Sequence, residues 1–370
     1  MIERWLSSPG GRTNSMIKDT STLALNVISS VAFENTEVNQ PTPGHQLSLR
    51  DALVTVMSTS ISPAIEGIMP VFKLPVLGSL LPTSTRRLLL AMHEFRQYMD
   101  ETVVRERSKV TGGQPKAATL ISTLIRANDA TNTGSAGSKA KLSDAELRGN
   151  IFIFTVGGLE STSITLSYAL ALLAVHPEVQ DWVVEELDEV LKDEATDDPE
   201  YARMFPRLKR VIAVMTSLES KKAHENVVLP ANTQIMLNSW ASHTSSANFP
   251  DSLTWNPKRW IQSQSAGSSK VTLTEILSAE ELKHPTSGSG FFAWGTGPRI
   301  CPGMKFSKVE FCSVLSSVLE KVRVEVVCQD DEKVGVAGQK VMSILRDSCA
   351  DPLLLHVRQP EKLELRFIER

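Results

Sequence analysis

From Ile151 to Val175 the chain runs for 25 residues with little but apolar and small side chains. As a helix this segment is about 37 Å long at 1.5 Å per residue. That length suits a membrane span or a helix through the middle of a large domain. Glu160 and the hydroxyls of Ser161, Thr162, Ser163, Thr165 and Ser167 stand within it. A carboxylate near the centre of a bilayer costs a few kcal/mol, so the buried helix is the better reading and no transmembrane helix is expected. The chain can supply the surrounding core: it has 370 residues, 41% of them hydrophobic. Its net charge of −3 excludes a basic nucleic-acid-binding tail, and no nucleic-acid partner is expected.

Local signals frame the long helix. Ser143 and Glu146 have capping-box spacing before it, and His176-Pro177 ends it. Pro177 then opens a second helix, where its missing N–H costs nothing. That helix runs to about Lys192, with Val179, Trp182, Val183, Leu187, Val190 and Leu191 inward and Glu185, Glu186, Asp188 and Glu189 as its solvated side. Further helices are expected over Ser21–Phe33 and Arg86–Lys109, the latter from Leu89, Met92, Phe95, Met99 and Val103. Leu49–Leu90 reads as short helices and turns around Pro70, Pro75 and Pro82, and Ala130–Lys141 as a Gly/Ser/Thr loop. Later come a strand pair over Asn226–Ser239, a polar loop over Ser263–Ser269, and short strands over Val324–Cys328 and Leu353–Val357. The fold class is mainly α with small β-sheets, in a single domain over 1–370.

The strongest chemical signal is the run from Phe291 to Gly303, FFAWGTGPRICPG. Glycines and prolines make a stiff loop that can approach a flat ligand closely. Arg299 supplies charge two residues before Cys301, and a helix begins near Met304, so its dipole favours a thiolate at Cys301. A lone thiolate with no partner cysteine or nearby histidine suits haem iron better than zinc. A buried cysteine in a glycine-rich turn gives the same pattern. Cys312, Cys328 and Cys349 read as buried, reduced thiols. In the long helix, Gly157 and Gly158 each cost about 1 kcal/mol relative to alanine. They let a ligand lie close or the helix open, beside an acid and hydroxyls able to carry protons. A serine- and threonine-bearing helix packed in a core reads equally well.

The loop Trp294-Gly-Thr-Gly-Pro-Arg-Ile-Cys301-Pro-Gly, followed by Met-Lys-Phe-Ser-Lys-Val-Glu-Phe, resembles the haem-binding loop of the cytochrome P450 monooxygenases, most of all fungal members. The resemblance implies a cytochrome P450-like fold with Cys301 as axial ligand of haem iron and Arg299 on a haem propionate. Gly297 and Gly303 would shape the loop, with Trp294 covering the thiolate where the family usually has Phe. Gly157-Gly158-Leu159-Glu160-Ser161-Thr162 resembles the family's oxygen-activation motif, with Ser161 where Thr is usual. It implies proton delivery by Glu160, Ser161 and Thr162. The implied activity is a haem-thiolate monooxygenase inserting one atom of O2 into an apolar small molecule of secondary metabolism. The implied cofactor is haem b, with electrons from NADPH through NADPH–cytochrome P450 reductase. Lys305 and Lys308 could help dock such a reductase, though helix charges are usually solvated.

Two departures qualify the resemblance. Family members are usually longer, with a membrane anchor, strands and early helices before the part matched here. The expected fold is therefore incomplete at the N-terminus, and the expected location is cytoplasmic or peripheral to the endoplasmic reticulum. The family's Glu-x-x-Arg pair is absent from the helix expected to start at Phe205–Met215, and a loss near 216–223 is inferred. Arg259, in the weakly family-like Thr254–Trp260 segment, would then lack its usual partners. Glu200/Arg203 and Glu320/Arg323 have the bare spacing but read as surface charges. The alternatives to a working enzyme are a truncated, catalytically impaired relative and a haem-binding module without turnover.

Overall fold

A computed structural model describes residues 1–33, 40–58, 82–111, 120–130, 142–192, 201–216, 238–246, 248–249, 251–263, 271–283, 293–295, 300–350 and 355–370. In chain order the elements are α1 (Ile2–Ser7), β1 (Arg12–Thr13), α2 (Met16–Phe33), α3 (Leu49–Ser58), α4 (Thr83–Thr111), α5 (Leu120–Ala130), α6 (Asp144–Val175) and α7 (Pro177–Lys192). They continue with α8 (Tyr201–Met204), α9 (Lys209–Thr216), α10 (Ser239–His243), β2 (Ile261–Ser263), α11 (Leu273–Ala279) and β3 (Glu280–Leu282). The last are α12 (Met304–Lys321), β4 (Val322–Val326), α13 (Val334–Arg346), β5 (Ser348–Ala350), β6 (Leu355–Val357) and β7 (Leu365–Glu369). The chain is mainly helical with small sheets, as its sequence implies. Contacts divide it into two compact units: Met1–Met16, Thr165–Asp347 and Val357–Arg370 form the first, and Ile17–Ile164 with Ser348–His356 the second.

In the first unit, β7 is the centre of an antiparallel sheet ordered β1-β7-β4. Alternation along β4 buries Val322, Val324 and Val326, and along β7 Leu365 and Phe367. Trp5 of α1 stacks on Phe367 with ring centroids 4.2 Å apart. This approach requires glycine at position 11. Its φ is +68°, and a Cβ there would stand 2.2 Å from the Phe367 carbonyl oxygen. Gln180 of α7 ties the helices to the sheet. Its amide nitrogen donates to Val324 O at 2.9 Å and Leu173 O at 3.2 Å, and its oxygen accepts from Val324 N–H at 2.8 Å.

α7 starts at Pro177 and buries Val179, Val183, Leu187 and Val190 as expected. Its acidic side is not uniformly solvated, however: Glu186 is 1% exposed. Both its carboxylate oxygens accept from the Arg210 N–H, at 2.8 and 2.9 Å, and Oε2 also accepts from Val211 N–H at 3.2 Å. Glu186 thereby satisfies orphan donors at the start of α9. Burial pushes its carboxyl up to about 7 against the pull of those hydrogen bonds.

In the second unit, α4 exceeds the expected Arg86–Lys109 at both ends. Its buried stripe comprises Leu88, Ala91, Phe95, Tyr98, Met99 and Val103, while Leu89 and Met92 are only half-buried. α2 begins at Met16, five residues before the expected Ser21, with Asp19 in its first turn. The capping box forms: Glu146 Oε2 accepts from Ser143 N–H at 2.8 Å, and Ser143 Oγ accepts from Glu146 N–H at 3.3 Å. β5 and β6 pair as a two-stranded sheet.

Several expectations fall on residues outside those described: the turns over 59–81, the loop over 131–141, the strand pair over 226–237, most of the loop at 264–269, and strand residues 353–354. Ser239, placed in the strand pair by its sequence, instead opens α10. α6 has the length and apolar composition of a membrane span, but 61% of its most apolar stretch is buried within the protein, which fits the core-helix reading.

Candidate functional site

Cys301 sits at the head of α12. Gly303 is the N-cap of that helix, and the Cys301 carbonyl accepts from Met304 N–H at 3.3 Å. The Cys301 N–H donates to the Trp294 carbonyl at 2.6 Å, closing the loop on itself. Gly295 takes φ +72°, a turn that a side chain would strain. A Cβ at Gly303 would stand 3.7 Å from Cys301 Sγ, ordinary contact. The Cys301 thiol is free and exposed. Arg299 and Gly297 lie outside the described residues.

Trp294 is held on two sides. Its indole Nε1–H donates to Ser307 Oγ at 3.0 Å, and the Lys308 ammonium lies 4.7 Å from its ring centroid. Lys308 is therefore not the solvated charge its sequence context implies, whereas Lys305 is exposed. Of the other thiols, Cys312 is buried on α12, and burial pushes its thiol well up. Cys328 is half-buried, and the Cys349 side chain lies outside the described residues.

The motif on α6, in the second unit, has an open side and a packed side. Ile153, Gly157 and Ser161, spaced four apart and so on one face, are exposed; Ile153 is 57% exposed. A Cβ at Gly157 would meet nothing within 4 Å. At Gly158 it would come within 3.1 Å of Ile28 Cδ1, so that glycine serves the packing of α2 on α6. The Ser161 hydroxyl donates to Gly157 O at 2.6 Å. Thr162 is 2% exposed, and its hydroxyl has no hydrogen-bond partner among the described residues. Glu160 is paired: its Oε1 lies 3.0 Å from His356 Nε2 of β6. Nothing local in the sequence signals His356.

A buried ion-pair network stands in the first unit. Arg210 of α9 is 3% exposed. Its Nε and Nη2 donate to the two carboxylate oxygens of Glu280 on β3, at 2.9 and 2.7 Å. Its Nη1 donates to Trp182 O at 2.7 Å and Glu185 Oε2 at 3.1 Å. Arg259 is satisfied by carbonyls of its own loop, those of Asn256 at 3.1 Å, Asp251 at 3.2 Å and Thr254 at 2.9 Å. Desolvation holds its guanidinium below the usual range. Arg203 and Glu320 are exposed, Glu200 lies outside the described residues, and Arg323 pairs with Asp181 at 2.5 Å.

Among the described residues no group of three or more His, Cys, Asp or Glu side chains could hold a metal ion. The donor set is one exposed thiol on a closed loop. That donor suits a haem held by a single axial cysteinate.

Comparison with known proteins agrees with these features. The family model for cytochrome P450 matches residues 1–346. The phomenoic acid biosynthesis cluster cytochrome P450 monooxygenase of Leptosphaeria maculans is 27% identical over 332 residues, covering 78% of this chain. A cytochrome P450 monooxygenase, ORF6, of Penicillium roqueforti is 27% identical over 366 residues, covering 88% of this chain. The chain spans 53% and 60% of the length of these two relatives. Among solved structures, the heme domain of cytochrome P450DA aligns with TM-score 0.62 at 18% identity, over 100% of this chain and 70% of that one. A zebra fish cytochrome P450 solved with abiraterone gives 0.61, covering 75% of that chain. Family match, fold and cysteine loop together show that this chain belongs to the cytochrome P450 family.

Proposed function

We propose that the chain carries the haem-thiolate centre of a monooxygenase acting on an apolar small molecule. The observation that carries this reading is Cys301: free, exposed, and presented by a hydrogen-bonded loop at the head of an 18-residue helix. Cys301 would hold haem iron, with Gly303 beside the sulfur and Trp294 fixed by Ser307 and Lys308. Haem, when bound, supplies the activation of dioxygen that thiolate donation favours.

On α6, Gly157 leaves room for a flat ligand, and Ser161 presents a hydroxyl on the same face. Glu160, Ser161 and Thr162 are assigned to proton handling, the Thr162 hydroxyl being buried and without a hydrogen-bond partner among the described residues. Exposed Ile153 gives that face an apolar surface suited to an apolar substrate. A relative named for a biosynthesis cluster supports a substrate among specialised metabolites. NADPH, through NADPH–cytochrome P450 reductase, is the proposed electron source.

The test is a reduced, carbon-monoxide-bound difference spectrum on the haem-loaded chain and on Cys301→Ser. A thiolate-type spectrum at near-stoichiometric haem in the parent, lost in the variant, is expected. An unchanged spectrum in Cys301→Ser would overturn the ligand assignment. A parent chain that takes up no haem would leave it a non-catalytic relative.

A further inference from the structure

The two-stranded sheet of β5 and β6 comes from the far end of the chain, and its residues Ser348–His356 belong to the unit built from Ile17–Ile164. It brings His356 to α6, where Nε2 lies 3.0 Å from Glu160 Oε1. Among the described residues the Glu160 carboxylate and the His356 ring have no other polar partner, and no other acid or base stands within ion-pair distance of either. The His356 side chain is 33% exposed and that of Glu160 26%. The pair is thus closed on one side and open to water on the other. Glu160 immediately precedes Ser161, whose hydroxyl lies on the open face of α6.

A glutamate on a helix surface turns freely about three side-chain bonds. Contact with His356 Nε2 at 3.0 Å restrains it. So exposed a pair contributes little to stability, and a merely structural role predicts little consequence of removing it. Histidine is also the side chain best suited to exchanging protons with water near neutral pH.

We propose that His356 is a positioning residue for Glu160: it holds the carboxylate of this α6 residue and passes protons between that carboxylate and water. In the transfer the ring first takes a proton from hydronium at Nδ1, leaving water, and the proton on Nε2 then moves to Glu160 Oε1, leaving the ring neutral. No oxidant or reductant is consumed. The inference rests on the reading of Glu160 as the proton-handling acid of a haem-thiolate site.

The experiment uses the full haem-loaded chain with a reductase, comparing the parent with His356→Phe and His356→Gln. Three quantities are read: the carbon-monoxide-bound spectrum, the electrons diverted to hydrogen peroxide, and the solvent deuterium isotope effect on substrate oxidation. In parallel, the His356 Nε2–H resonance is followed by NMR in the parent and in Glu160→Leu. The spectrum is expected to stay unchanged in all variants. Coupling of electrons to product is expected to fall about tenfold in His356→Phe, the lower end for loss of an outer partner of a metal site. His356→Gln keeps a donor but not proton exchange, so the isotope effect should rise there while coupling falls less. The Nε2–H signal should shift or disappear in Glu160→Leu. An unchanged thiolate spectrum with unchanged coupling and isotope effect would overturn the role of His356 alone. An Nε2–H signal indifferent to Glu160→Leu would overturn the pairing itself, independently of haem. Absence of a thiolate spectrum in the parent would bring down the haem-thiolate reading, and this inference with it.

Discussion

Replacing Arg210 by methionine removes the most heavily engaged charge in the first unit. The guanidinium is 3% exposed and makes two parallel hydrogen bonds to Glu280, one to Trp182 O and one to Glu185. Methionine keeps most of the stem's volume but none of the donors. Glu280, itself 4% exposed, is left as a buried carboxylate without its counter-charge, near buried Glu186. Breaking a buried pair from one side costs about 3–5 kcal/mol. That is a large share of the roughly 5–15 kcal/mol that holds a domain folded. Urea unfolding followed by circular dichroism should show a loss in this range with unchanged slope. α9 packs against α12, which carries Cys301 at its head, so haem retention should fall as well. Arg210→Met/Glu280→Leu removes both charges and should recover most of the loss, because an apolar replacement of a buried pair is nearly neutral. The reasoning is refuted if Arg210→Met costs less than about 1 kcal/mol, or if the double variant is no more stable than the single one.

Glu186 gives a pH dependence of known sign. Its carboxyl is raised to about 7 in the folded chain by burial. Its contribution is fully present below the ordinary carboxylate range near 4.5 and is lost as pH rises through 7. The swing is on the order of 3 kcal/mol; urea titrations across pH 4.5–7.5 should show it, and Glu186→Gln should flatten that part of the profile. The adjacent glycines Gly157 and Gly158 of α6 should behave oppositely. Gly157→Ala points into open space and should stabilise the haem-free chain by up to about 1 kcal/mol, while weakening haem uptake measured by Soret titration. Gly158→Ala brings its methyl within 3.1 Å of Ile28, a buried side chain, and should gain nothing or lose stability in thermal melts.

The sequence by itself determined what depends on neighbours a few positions apart. The Ser143 capping box, the stop at His176 and restart at Pro177, and the helix after Cys301 all involve backbone groups within one turn, so residue order is enough to place them. The cysteine loop was legible for the same reason: its glycines, prolines and thiol act within about ten residues. Tertiary structure alone decided which charges are buried. Glu186 sits in an acidic run that reads as solvated, yet its partners come from α9, 24 positions on. Arg210 finds Glu280 70 positions away, and Glu160 finds His356 on β6 near the end of the chain. No local pattern encodes such pairings, because the desolvation that makes a charge costly, and the partner that offsets it, exist only once the chain has folded.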